Sequence, residues 1–405
     1  MLKKVLSVVL SVQLLAAGMV MPVSSATAAE TDRGKVAFDV KHMNKDVVWA
    51  ADGDWTEGEY YEIPVQPGWI SAAASDETLL ATALQLDFRL GMSWDEDYLY
   101  TWISYTDPNG YAVSPGSVWD GACIQFSGAN SDNNGPDMRL EYGIAKDFET
   151  NQKINLNWYD YKHSGFMDGT KGQDCYDVFL EGNDVTYEFR TPIPAFTNFT
   201  PLEGNRYAVC YVISWGNGGE EYAHTQISSG ISGDAGKAAQ NHAKITLVSE
   251  NGAPEDGWYT YGDVQWKIDG TTLRIRGDGE IPAMDNGTRY PWISHCVDVT
   301  EVVFEEGITS LPYDVLCNYD LVESVSLPST LQTMDSYCLR GLWNLKTLHI
   351  PASVTEIADD AINCNWSLQE ITVDALRTMP VMFFPMSWTS PLTVAITTTG
   401  LDLLL

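Results

Sequence analysis

Rings set beside amides and carboxylates are the residues of this chain best suited to chemistry, and that chemistry is recognition of sugars. The sequence holds 14 Trp and 20 Tyr. A pyranose offers an apolar C–H face and a rim of hydroxyls. A receptor for it therefore needs a flat ring with polar groups at its edge, and Trp and Tyr supply an apolar body with a polar tip. Trp119 ends a loop containing Gly, Pro and Ser. Trp158 and Tyr161 stand in the run Asn157 to His163, and Trp215 precedes Gly216-Asn217-Gly218-Gly219 at the end of a predicted strand. Trp119, Trp158, Tyr161 and Trp215 are thus the candidate carbohydrate-binding residues. Packing accounts for Trp119, Trp158 and Trp215 about as well, and Trp94 and Trp102, in or beside predicted strands, read as core.

Hard oxygen ligands gather in two places, the acidic turn Asp95-Glu96-Asp97 and the loop Ser131 to Asp137. Asp95, Asp97, Asp132 and Asp137 are the candidate metal ligands, and calcium is the cation such oxygens suit. Ordinary Asx turns explain the same residues. No cofactor is otherwise implied. His42-Met43 or His163 with Met167 would supply haem ligands only as isolated residues, and no C-x-x-C-H motif accompanies them. No catalytic residue is assigned. The 55 acidic residues make chance carboxylate pairs inevitable, and nothing marks one pair as spanning a cleft. The motifs G-x-S-x-G, H-E-x-x-H and G-x-x-x-x-G-K-[ST] do not occur in the sequence.

The elements that must position these side chains are strands. From about Lys35 to Val248 short apolar or alternating runs are cut by Gly, Asn, Asp and Pro. The best strand candidates are Leu84–Met92, Tyr98–Tyr105, Ala122–Phe126, Met138–Ile144, Val185–Thr191 and Arg206–Trp215. The predicted fold class is mainly β, an antiparallel β-sandwich over 35–249 followed by a short leucine-rich-repeat solenoid over 257–400. The polar run 250–256 is the expected linker. Beyond it Val302, Val325, Leu348, Ile371 and Val394 recur every 23 residues, as do Phe304, Leu327, Ile350, Val373 and Ile396. Such a period belongs to coils that contribute one strand each and bury their apolar side only by stacking. Trp343 and Trp366 keep the same step and so share a face. The last coil is degenerate and Leu401 to Leu405 form no polar cap, so a truncated array or a self-capping final turn is expected.

The segment Trp266 to Gly279, then Pro291-Trp292, then the 23-residue units, resembles the BspA-type leucine-rich repeats of bacterial surface proteins over residues 257–396. Leu316, Leu339 and Ile362 stand where that family usually shows Phe. The sandwich more faintly resembles carbohydrate-binding module family 9 and the DOMON-like group. That likeness rests on Trp94 to Tyr100 with Tyr105-Thr106-Asp107, on Trp119 to Phe126 and on Tyr187 to Pro194. The resemblances imply a polysaccharide or glycan as ligand of the sandwich and a host or cell-wall protein as partner of the repeats.

Lys3 and Lys4, an apolar run from Val5 and Ala26-Thr27-Ala28 form a secretory signal peptide over 1–28. With it removed no transmembrane segment is expected, and the product would be secreted or held at the cell surface. The net charge of −32 repels nucleic acid, which is excluded as a partner. Seven cysteines without a C-x-x-C pair read mostly as small buried hydrophobes.

Overall fold

In the computed structural model the described residues are 36–111, 121–128, 139–160, 175–193, 201–216, 222–227, 242–284, 289–374 and 393–396. Of these, 121–128, 139–143, 154–160, 216, 222 and 393–396 are described by their backbone. The expected leader, 1–28, lies outside them. Among the described residues no helix is long and apolar enough to cross a membrane.

Two sheets face each other across the first core. The 8-stranded sheet runs Ala37–Lys41, Ala243–Val248, Arg206–Gly216, Gly121–Gly128, Arg139–Asp147, Gln152–Asp160, with Tyr222–Ile227 and Ile70–Ala74 extending from Arg206–Gly216. The 5-stranded sheet runs Tyr61–Ile63, Phe88–Trp94, Tyr98–Thr106, Asp184–Pro192, Tyr176–Glu181, antiparallel throughout. Side chains alternate along each strand. Leu90, Leu99, Ile103, Tyr187 and Phe189 therefore meet Val209, Tyr211, Ile213 and Ile245 from the other sheet.

Each of the predicted strands has a counterpart, with one correction at its edge. Leu84 ends a helix, Glu77–Leu84, and the strand starts at Phe88. Asp76 caps that helix by accepting from the amides of Thr78 and Leu79 at 2.7 and 2.9 Å, which satisfies two N–H groups the first turn cannot. The helix rests on Tyr222–Ile227, where Thr225 Oγ1 donates to the Ala83 carbonyl.

The repeat half opens with a hairpin, Val264–Asp269 and Thr272–Arg276, whose second strand pairs in parallel with Glu301–Phe304. Parallel pairs then step from coil to coil: Val302 with Val325, Thr333 with Glu356, Leu348 with Ile371. The 23-residue period thus becomes a stack with a continuous core of Val302, Leu331, Leu348, Ile357 and Ile371. Asn365, fully buried, clamps two coils together. Its Oδ1 accepts from Leu342 N at 2.8 Å and its Nδ2 donates to the Leu339 carbonyl at 2.9 Å. Six cysteines of the described side chains are free thiols.

The two halves meet in a built junction. Arg206 N donates to Ser294 Oγ at 2.9 Å, Asn205 Nδ2 donates to the Pro291 carbonyl at 3.2 Å, and Arg206 pairs with Asp298. His295 Nε2 lies 2.8 Å from the Gly204 carbonyl, so that nitrogen carries the proton. Gly204 has φ +85°, and a Cβ there would fall 2.4 Å from the Trp266 ring. Only glycine serves at that contact. Burial, with Arg206 nearby, pushes the His295 pKa down to about 4.

Gly204→Ala should destabilise the protein by ~2–4 kcal/mol, from the left-handed backbone and the clash with Trp266, read as a lowered denaturation midpoint. The junction should also weaken in acid. The unfolded imidazole takes up its proton near its ordinary pKa of 6.5 and the folded one only near 4, so the stabilisation is complete above 6.5 and lost as pH falls to 4. The loss is on the order of 3 kcal/mol, and a pH series of midpoints should be flatter for His295→Gln.

Candidate functional site

Three strands of the 5-stranded sheet carry a polar and aromatic row on their outer side. The same alternation that sends Leu90, Ile103 and Tyr187 inward sends Gly91, Trp102 and Glu188 outward. Register aligns them: Gly91 faces Trp102, and Trp102 faces Glu188. One step along, Ser93, Tyr100 and Arg190 form a second row.

Residues 44–60 cross this face as a strap. Trp55 lies directly over Gly91, where a Cβ would come within 2.4 Å of the indole. Its ring meets Trp102 edge-on at 5.1 Å. Gly53, at φ +92°, donates its N–H to Glu188 Oε2 at 2.7 Å while its backbone passes over the Phe179 ring. Trp49 Nε1 donates to Tyr60 Oη at 2.6 Å, Ala50 N to Glu59 Oε1 at 2.9 Å, and Ser93 Oγ to the Glu59 carbonyl at 2.5 Å. The result is a second small core of Met43, Tyr60, Tyr100 and Trp102, with Trp49, Trp55 and Tyr98 half-buried around it. Two guanidinium groups close its edges. Arg190 sits 4.9 Å from the Trp49 ring and 4.5 Å from that of Tyr98, and Arg89 lies 5.0 Å from Trp55, geometries in which a cation is attracted by the ring face.

Glu188 is wholly buried in this cluster, and its Oε1 has no protein hydrogen-bond partner. Burial above all, with the charges of Asp52 and Glu59, raises its pKa to about 7. The carboxyl is therefore close to half protonated at neutral pH. A buried acid enclosed by rings holds the strap, through the Gly53 N–H. Its charge neighbours, Asp52 and Glu59, are themselves engaged in the strap's own turns.

The residues selected from sequence are placed differently. Trp215 is fully buried in the sandwich core, a correction to its reading as a platform: a ring enclosed by Ile213 and its neighbours has no face to offer. Trp158 belongs to Gln152–Asp160, at the edge of the 8-stranded sheet. Trp119 and Tyr161 lie outside the described residues, as do Asp132 and Asp137. Asp95 forms an Asx turn: Oδ1 accepts from Asp97 N and Tyr98 N at 2.9 and 2.7 Å, and Oδ2 accepts from Tyr100 Oη at 2.6 Å. Asp97 contributes its carbonyl to Ile193 N. Among the described residues no group of three or more His, Cys, Asp or Glu is placed to hold a metal ion. The strap cluster escaped sequence reading because Tyr98, Tyr100 and Trp102 lie in a strand while Trp49 and Trp55 lie in the irregular run that covers it. The one available signal was Ala51-Asp-Gly-Asp-Trp-Thr-Glu-Gly-Glu59, an acidic, glycine-punctuated run too polar for a strand.

Comparison with known proteins adds the following. Residues 293–394 match the BspA type leucine rich repeat region, in 6 copies. That is the family the repeats resemble by their period. None of the curated proteins matches the chain. Among solved structures, a carbohydrate binding module family 9 from Caldicellulosiruptor kristjanssonii in complex with cellotriose is similar at 14% identity, covering 56% of this chain and 99% of that one, with a TM-score of 0.37. A leucine rich cell surface protein from Faecalibacterium prausnitzii A2-165 is similar at 18% identity, over 32% of this chain and 35% of that one, with a TM-score of 0.23. A leucine-rich repeat protein from Eubacterium ventriosum ATCC 27560 also shows 18% identity, over 29% and 44% of the two chains, with a TM-score of 0.22.

Because Glu188 holds its proton more tightly folded than unfolded, its contribution is complete below its ordinary pKa of 4.5 and is lost as pH rises to about 7. Glu188→Gln should abolish that slope. Its stability relative to the native chain should improve by on the order of 3 kcal/mol between pH 5 and pH 8, measured by urea unfolding at both.

Proposed function

We propose that this chain is an exported, non-catalytic binding protein whose sandwich takes a neutral saccharide and whose repeats hold a host or cell-wall protein. The observation that carries the first half is the strap cluster, where half-buried Trp49, Trp55 and Tyr98 lie beside Arg89 and Arg190. Rings with an accessible side, fixed by hydrogen bonds and edged by donors, are what a pyranose requires. Trp158, in a strand of the other sheet, is a second candidate, as are Trp119 and Tyr161 from the sequence. The repeat match supports the second half, since stacked coils present a broad surface to a partner. The expected leader and the BspA type match of the repeats support a place outside the cell.

A spacer without a sugar ligand is the rival, and the burial of Trp215 favours it. Isothermal titration of the leaderless chain with soluble xylan, cello-oligosaccharides and mucin-type oligosaccharides, with and without calcium, decides between them. Saturable heat should fall about tenfold in affinity in Trp49→Ala if the strap face binds, and in Trp158→Ala if the opposite sheet does. Absence of heat with every sugar would leave the sandwich as a spacer.

A further inference from the structure

Two tryptophans of the repeat array stand outside its core. Trp343 and Trp366 are 48% and 51% exposed, the most exposed aromatic side chains among the described residues. Each lies four residues before a strand, and those strands pair in parallel with Thr347 opposite Glu370. The two residues therefore occupy equivalent positions on adjacent coils, whose paired strands lie ~4.8 Å apart along the stack.

Their turns are rigid. Leu342, next to Trp343, donates its N–H to the side chain of Asn365, next to Trp366, and the same Asn365 holds the Leu339 carbonyl. Each turn is closed by its own hydrogen bond, Leu345 N to the Leu342 carbonyl and Leu368 N to the Asn365 carbonyl. Gly341 and Cys364, two residues before the rings, both adopt positive φ, 73° and 59°. One buried amide thus fixes the spacing of the two turns that carry the rings, so little backbone ordering remains to be done on binding.

The surroundings select the ligand. Across Trp343–Lys346 and Trp366–Gln369 the exposed or half-exposed polar side chains are Asn344, Lys346, Ser367 and Gln369. Two amides, a hydroxyl and one ammonium stand in the two turns, with exposed Glu370 next in the chain, on a protein of net charge −32. An acidic partner is repelled at long range by the whole protein, and the turns Trp343–Lys346 and Trp366–Gln369 themselves hold no carboxylate for a basic one to pair with. Paired flat rings with neutral donors and acceptors match the alternating apolar face and hydroxyl rim of successive pyranose units. We propose that Trp343 and Trp366 form a platform for a neutral polysaccharide, separate from any site on the sandwich.

Affinity electrophoresis of the leaderless full chain in gels containing hydroxyethylcellulose, xylan or galactomannan tests this. The background is Trp49→Ala with Trp158→Ala, which silences both sandwich candidates and keeps the two proposals distinguishable. Retardation by at least one polysaccharide should persist in that background. It should weaken about tenfold on adding Trp343→Ala and Trp366→Ala, and return with Trp343→Tyr and Trp366→Tyr. Unchanged melting temperature shows that the variants fold, since neither ring lies in the core. As an independent readout on the unmutated repeats, the same polysaccharide should shield indole fluorescence from acrylamide in the Trp49→Ala, Trp158→Ala chain. No retardation of that background chain by any of the three, or retardation indifferent to Trp343 and Trp366, overturns the proposal.

Discussion

Strands Phe88–Trp94, Tyr98–Thr106 and Asp184–Pro192 together carry large rings on both of their faces, with Glu188 and Arg190 beside those on the outer one, and much of the sandwich follows from that constraint. Alternation gives one face to the inter-sheet core whatever else happens. The other face, Gly91, Trp102, Glu188, Tyr100 and Arg190, would leave large rings in water unless something covered it. The strap does so. Trp55 fits because position 91 has no side chain, and Gly53 reaches Glu188 because glycine tolerates the left-handed backbone needed there. The cover is incomplete, and its incompleteness leaves Trp49, Trp55 and Tyr98 half open as the most ligand-like rings of the sandwich.

The repeat half obeys a different constraint with the same outcome. Each coil buries Val, Leu or Ile at fixed steps and must turn sharply between strands, which places Asp314, Tyr337 and Asp360 at positive φ of 54°, 58° and 60°. Non-glycine residues in that region are strained unless their surroundings hold them, and here the neighbouring coil does. Buried Asn365 ties one turn to the next. Rigidity needed for stacking therefore fixes whatever the turns display. The junction extends the rigidity into the sandwich, because Gly204 and Arg206 make their contacts through main-chain groups that cannot reorient independently and Asn205 adds its buried side-chain amide. The buried ionisable groups pull in opposite directions: neutral His295 favours folding at higher pH, and neutral Glu188 at lower pH.

Much of this architecture was legible in the residues. Alternation over Tyr98–Thr106 and Asp184–Pro192 and the 23-residue period are one-dimensional patterns that translate directly into strands and coils. The helix Glu77–Leu84 was less so. Its Asp76 cap is visible in the sequence, but its short apolar run merges into the following strand. The site was largely hidden. Trp215 and Trp102 look alike as strand aromatics, and only the opposing layer decides that one is sealed by the second sheet while the other borders a strap. Asp95 resembles a metal ligand until Tyr98 and Tyr100 are seen to occupy its oxygens. Partner identity across a fold is three-dimensional information, and neither composition nor spacing encodes it.

Charge and ring placement together define what such a molecule would discriminate. At −32 the protein repels nucleic acids and polyanionic glycans before contact, an effect that salt screens. On the proposed reading, contact itself falls to flat rings with neutral or cationic edges, on the strap face and on the repeat turns. Because the junction holds the two faces at a fixed relative orientation, a long neutral chain able to reach both would gain from their combined attachment, and a short oligosaccharide would not. The advantage depends on span and not on any additional contact. A rigid junction built around one glycine and one buried imidazole makes that geometric filter possible, where a flexible linker would blur it.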